Sequence, residues 1–201
     1  MKSSSVLALN GSPSITSRTR KLLDYAQGQL ARQSVETATL HLRELPAQAL
    51  LHAEAQEPRI EYALRRVGQA DALLIATPVY KAAYSGLLKS FLDLLPRDVL
   101  QDKIVLPLAT GGSTAHTLML DYALRPVLSA LGARHVLPGI YAVESQVRWS
   151  EDGGLDLAPE LQQRLDAGLG QLADALPAAT PLMPAAPPTL RLLKSATAQH
   201  C

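Results

Sequence analysis

Residues 72–85 read ALLIATPVYKAAYS, and residues 104–116 read IVLPLATGGSTAH. Each opens on a short, continuously apolar run and passes through small and hydroxyl-bearing residues into a stretch of helical period. Runs of this kind belong to parallel strands covered on both faces, because a strand with one wet face alternates apolar and polar residues instead. Three further runs fit the same scheme: 5–9 (SVLAL), 35–42 (VETATLHL) and 135–142 (HVLPGIYA). The alternation in 35–42 marks it as an edge.

Between the strands lie segments with an apolar stripe at helical spacing. In 17–32 the stripe is Leu22, Leu23, Ala26 and Leu30, and in 59–69 it is Ile60, Leu64 and Val67. The segment 85–95 is capped by Ser85 and stops before Pro96, and two more helices are predicted over 114–131 and 159–175. Strand and helix alternate five times, the pattern of βαβ units. The expected fold is α/β: a flavodoxin-like, doubly wound, five-stranded parallel sheet of order 2-1-3-4-5 with helices on both faces. Residues 1–176 form the domain. Pro177, Pro181, Pro184, Pro187 and Pro188 open an extended Pro/Ala-rich tail over 177–201, read first as a loose tail and alternatively as one that docks through Leu190, Leu192 and Leu193.

Composition excludes several classes of function. The 201 residues are 47% hydrophobic, enough for a core without disulfide or metal support. Nineteen Lys and Arg against 18 Asp and Glu give a net charge of +1, so no strong field draws nucleic acid, and no acidic docking face of the electron-carrier kind is expected. The single cysteine, Cys201, allows neither an intramolecular disulfide nor a cysteine-based metal site. No apolar run approaches the ~18 residues of a membrane span, and Val6 to Leu9 are too few for the apolar segment of a signal peptide. The expectation is a cytoplasmic protein with no metal.

In an open parallel sheet, ligands bind beyond the carboxyl ends of the strands near the reversal of strand order, which selects three loops. The first, NGSPSITSRT (10–19), supplies Gly11 for close approach and the hydroxyls of Ser12, Ser14, Thr16, Ser17 and Thr19 at a helix N-terminus, with Arg18 adding charge. That combination suits a phosphate monoester, although the same residues also make turns and caps. The second loop offers Pro78, Val79, Tyr80, Lys81, Tyr84 and Ser85: backbone N–H groups beyond the proline can read the edge of a flat ring, Tyr80 also reads as loop packing, and Lys81 as a solvated cation. In the third, Thr110, Gly111, Gly112 and Ser113 let a planar group lie against bare main chain or simply form a tight turn into a helix. His116 has no carboxylate nearby in sequence to orient it as an acid or base.

A phosphate pocket with planar-ring contacts describes FMN. The segments GSPSITSRT, ATPVYKAAYSGLLKSFLDLLP, LPLATGGSTAH and LDYALRPVLSALGA also resemble the NADPH-dependent FMN reductases that serve two-component alkanesulfonate monooxygenases, from about residue 5 to about 175. The resemblance implies hydride transfer from NADPH or NADH to FMN, held loosely as a substrate, and release of reduced flavin to a partner monooxygenase for sulfur acquisition. Cofactor and donor carry that chemistry, so no catalytic side chain is required, and the main chain at Gly111 and Gly112 meets the charge developing on the flavin. The expected FMN contacts are Ser12, Ser17, Arg18, Thr19, Pro78, Val79, Tyr80, Lys81, Ser85, Thr110, Gly111, Gly112 and Ser113. Related reductases often carry GSxR in the phosphate loop; this chain has Ser14 there, and Arg18 replaces the missing charge. The alternatives are an FMN-containing quinone or azo reductase and a flavodoxin-like electron carrier.

The helix 114–131 is apolar most of the way round, so a second face should be covered by another subunit. Pro126 pushes away the carbonyl of Tyr122, a clash that a π-bulge would relieve, the alternative being a plain proline kink with Tyr122 as core filler. The resemblance implies a homotetramer, a dimer of dimers, with Tyr122 at its interface.

Overall fold

The computed structural model describes residues 5–149 and 155–177; the tail from 178 onward, with its three leucines, lies outside them. In chain order the elements begin with β1 (Ser5–Asn10), α1 (Arg18–Arg32), β2 (Glu36–His41), a short α2 (Ala47–Leu51) and α3 (Pro58–Gln69). They continue with β3 (Ala72–Tyr80), β4 (Ala83–Tyr84), α4 (Gly86–Leu92) and β5 (Ile104–Gly111). A π-helical turn, Leu120–Leu124, runs into α5 (Arg125–Ala130). Then come β6 (His135–Val136), β7 (Ile140–Val143), β8 (Val147–Trp149), β9 (Leu155–Leu157) and α6 (Pro159–Ala175).

The parallel sheet runs β2-β1-β3-β5-β6, with β7 continuing beside β5. Its five strand positions therefore have the order 2-1-3-4-5. Within the unbroken apolar runs, alternate residues serve opposite layers. Leu73 and Ile75 of β3 join the core beneath α3, α4 and α5, while Ala72, Leu74 and Ala76 face Leu22, Leu23 and Leu30 of α1 and Leu161, Leu165 and Leu169 of α6. β2 buries only one residue fully, as an edge strand should.

The fifth strand differs from the continuous run expected over 135–142. It is broken at Leu137–Gly139, where Pro138 has no N–H for the ladder, although the Leu137 amide still reaches the Val105 carbonyl at 2.9 Å. Helix 85–95 ends at Leu92 instead. The helix expected over 114–131 divides into a 3₁₀ turn (Thr114–His116), the π turn and α5. The π turn lies directly before Pro126 and takes up the clash with the Tyr122 carbonyl: the Arg125 amide bonds back to the Leu120 carbonyl five residues earlier. Among the described residues no helix is long and apolar enough to cross a membrane.

Candidate functional site

The carboxyl ends of β1, β3 and β5 lie side by side, in register through Asn10 with Ala76 and Pro78 with Thr110. A cleft opens there, lined by Ser12, Ser17, Arg18 and Thr19 from the first loop, Pro78, Val79 and Tyr80 from β3, and Thr110 from β5. The structure thus brings together eight of the residues expected from sequence.

The first loop is held by its own side chains. The Ser12 amide donates to Asn10 Oδ1 at 3.1 Å, and the Ser14 amide donates to Ser12 Oγ at 3.3 Å. Gly11 is required for packing rather than for ligand approach, since a Cβ there would sit 3.0 Å from both the Ala76 carbonyl and the Leu88 Cβ. Ser17 caps α1 by accepting from the Arg20 amide at 3.1 Å. The amides of Arg18 and Thr19, first in the helix, have no acceptor within it, and no acidic residue occupies the first turn. The Thr19 and Thr110 hydroxyls, both buried, meet at 2.5 Å and tie the loop to β5.

Arg18 is the cation of the cleft. Its Nη1 reaches Glu144 Oε2 at 3.1 Å, while its Nε is buried with no hydrogen-bond partner among the described residues. An unpaired buried donor costs about 1–3 kcal/mol. Together with the free helix amides and the hydroxyls, it fits a phosphate group, whose oxygens would satisfy all of these donors at once.

The second loop is a hairpin rather than an open turn. β3 extends to Tyr80 and pairs back with β4, Val79 opposite Tyr84, around Lys81 and Ala82, both at positive φ. Lys81 is exposed at the tip. Ser85 does not line the cleft; its buried hydroxyl donates to the Gly11 carbonyl at 2.6 Å and accepts from the Leu88 amide at 3.1 Å, so it cross-links two loops and caps α4.

In the third loop the two glycines separate in role. Gly111 is the last residue of β5, and a Cβ on it would lie 2.2 Å from the Tyr141 hydroxyl. It is bare to admit that tyrosine, which donates to the Ser113 carbonyl at 2.7 Å. Burial, with a smaller contribution from Glu144, raises the Tyr141 pKa and keeps the phenol a donor. A Cβ on Gly112 would meet nothing within 4 Å, so its main chain is open to a ligand. Ser113 caps the 3₁₀ turn through the Ala115 amide at 3.2 Å.

Sequence reasoning missed Glu144 and Trp149, which also line the cleft, and Tyr141, which shapes it. For two of them the signal was available: Tyr141 lies in the fifth strand and Glu144 just beyond its carboxyl end, a position the strand-end rule covers as well as the other three, whereas Trp149 comes from β8. Lys21 lies over the Trp149 ring, 5.6 Å from its centroid, which holds that wall of the cleft against α1.

Residues 4–148 match the family NADPH-dependent FMN reductase. The chain is 48% identical over 165 residues to an FMN reductase (NADPH) of Pseudomonas putida KT2440, covering 82% of this chain and 84% of that protein. It is 47% identical over 171 residues to an FMN reductase (NADPH) of Escherichia coli K12, covering 85% and 89%. Among solved structures, the apo form of the NADH:FMN oxidoreductase EMOB superposes with a TM-score of 0.79 at 40% identity, covering 88% of this chain and 92% of that one.

Proposed function

The chain belongs to the NADPH-dependent FMN reductase family, and from that premise we propose that it supplies reduced FMN to a separate monooxygenase acting on alkanesulfonates. It is an NAD(P)H:FMN oxidoreductase using FMN and NADPH. When both are bound, hydride passes from C4 of the reduced nicotinamide to N5 of the flavin. The chain contributes position and solvation. The observation that carries the site assignment is the convergence of the buried Ser12, Thr19 and Thr110 hydroxyls and the unpaired Arg18 Nε at the N-terminus of α1.

In this reading Ser12, Ser17, Arg18 and Thr19 hold the phosphate. Pro78, Val79 and Tyr80 border the ring, and the open main chain at Gly112 approaches it. Ser85 and Gly111 shape the site from behind, and Lys81 stands at its rim. Of six Tyr, one Phe and one Trp, Tyr80 and Trp149 line the cleft, and the Trp149 ring already carries Lys21, 5.6 Å from its centroid. A flavin held mainly by its phosphate suits one that leaves after reduction.

Two measurements test this. NADPH oxidation by the purified chain should require added FMN; activity without it would favour a quinone or azo reductase that keeps its flavin, and no oxidation with or without it would favour an electron carrier. Ser12→Ala and Ser17→Ala should each weaken FMN binding by about 1 kcal/mol, roughly fivefold, because each loses a hydrogen bond to a charged group. Riboflavin, lacking the phosphate, should respond by less than twofold. Equal responses would remove the phosphate from this loop.

The same reading extends to assembly. Leu118 and Tyr122 are 62% and 78% exposed on the segment around the π turn, and a tetramer that covers them removes that apolar surface from water. Tyr122→Ala is then expected to shift the assembly toward dimers or monomers in analytical ultracentrifugation. A chain that sediments as a monomer at micromolar concentration, or a variant whose assembly is unchanged, would refute this.

A further inference from the structure

Among the described residues, Glu144 is the one carboxylate lining a cleft whose other polar groups suit an anion. Register places it there: Gly111 pairs with Val143, so the chain leaving β7 turns directly over the end of β5. A 3₁₀ turn, Glu144–Gln146, follows, pinned by the Val143 amide donating to Gln146 Oε1 at 3.1 Å. The Glu144 carboxylate makes a single side-chain bond among the described residues, to Arg18 Nη1, and remains about half exposed.

We infer that Glu144 is a counter-ion competing with the flavin phosphate for Arg18, so that it sets how readily FMN leaves. This rests on the phosphate lying in the first loop, as proposed above. One guanidinium then serves two anions in turn. At Nη1 the guanidinium pairs with Glu144, while its Nε has no acceptor among the described residues. A phosphate entering at the α1 N-terminus satisfies Nε, and its two negative charges then face the Glu144 carboxylate across the same guanidinium. Like charges a few ångströms apart repel, and a half-exposed carboxylate on a surface turn can move outward into water at small cost. On release, Glu144 takes Arg18 back. The exchange offsets part of the phosphate's binding energy and leaves the ring contacts unchanged, so it lowers FMN affinity without lowering selectivity for the isoalloxazine.

The test is the affinity of the full chain for FMN and for riboflavin, measured side by side for the wild type, Glu144→Gln, Glu144→Ala, Ser12→Ala and Ser17→Ala. Both Glu144 variants should bind FMN about three- to tenfold more tightly and release it correspondingly more slowly, with riboflavin changed by less than twofold. Glutamine keeps the shape and a hydrogen-bonding oxygen for Arg18, so tightening in both variants identifies the charge as the cause. FMN affinity that is unchanged or weaker in Glu144→Gln, or riboflavin that tightens equally, overturns the inference. If the serine variants discriminate FMN from riboflavin and the Glu144 variants do not, the phosphate site stands and the counter-ion role fails. If the serine variants do not discriminate, the phosphate lies elsewhere and both fall together.

Discussion

Gly111→Ala is expected to destabilise the fold by about 2–3 kcal/mol and to remove most FMN reduction, although it adds one methyl group. The new Cβ would lie 2.2 Å from the Tyr141 hydroxyl, 3.1 Å from Tyr141 Cζ and 3.3 Å from Val79 Cβ. None of these neighbours is free to give way. The main chain at Gly111 is fixed by pairing with Val143, and the Tyr141 ring is buried with its hydroxyl committed to the Ser113 carbonyl. Either the ring leaves, exposing a cavity and orphaning that carbonyl, or the end of β5 shifts and carries Gly112 out of the cleft. Urea denaturation of Gly111→Ala in the wild-type and Tyr141→Phe backgrounds checks the cause. Phenylalanine removes the oxygen but not the ring carbon, so the penalty should shrink there without vanishing. A loss under about 0.5 kcal/mol, or an equal loss in both backgrounds, would contradict the steric account.

Phe91→Ala should cost still more stability, about 3–5 kcal/mol. Phe91 is the sole phenylalanine, fully buried on α4, in the core that includes Leu9, Ile75, Leu88 and Leu92. Truncation leaves a cavity that fixed strands on one side cannot collapse to fill. The consequence reaches the cleft, because Ser85 caps this same helix while holding the Gly11 carbonyl. Loosening α4 therefore loosens the first loop. Phe91→Leu, which refills most of the volume, should recover the greater part of both stability and FMN affinity. Equal unfolding midpoints for Phe91→Ala and wild type would show that the residue is not a packing anchor.

The sheet was legible because burial on both faces leaves a compositional mark that no loop imitates: ALLIAT and IVLPLA cannot be solvated. The cleft was legible through its hydroxyls, since Ser12, Ser17 and Thr19 cluster within eight residues of chain at the start of a helix. The rest depended on distance in sequence or on local geometry. Glu144 meets Arg18 only because β7 lies in register beside β5, and no local pattern announces that pairing. α2, β4 and the β8–β9 hairpin are two to five residues each, too short for a period to emerge. Gly111 reads as a place for a ligand until Tyr141, thirty residues on, is seen to occupy the space. The π turn was legible only as one of two outcomes: Pro126 cannot donate to the Tyr122 carbonyl, which calls for a π-bulge or a plain kink, and the chain takes the former.

The π turn rests on the break in the fifth strand. A Cβ on Gly139 would come within 2.9 Å of Leu120 Cδ1, so the first residue of the wide turn fills the space that the glycine vacates. The two positions are therefore one steric unit: a side chain at 139 requires Leu120 to shift or to be smaller, and straightening the wide turn would withdraw Leu120 and uncover the gap in the sheet beneath it.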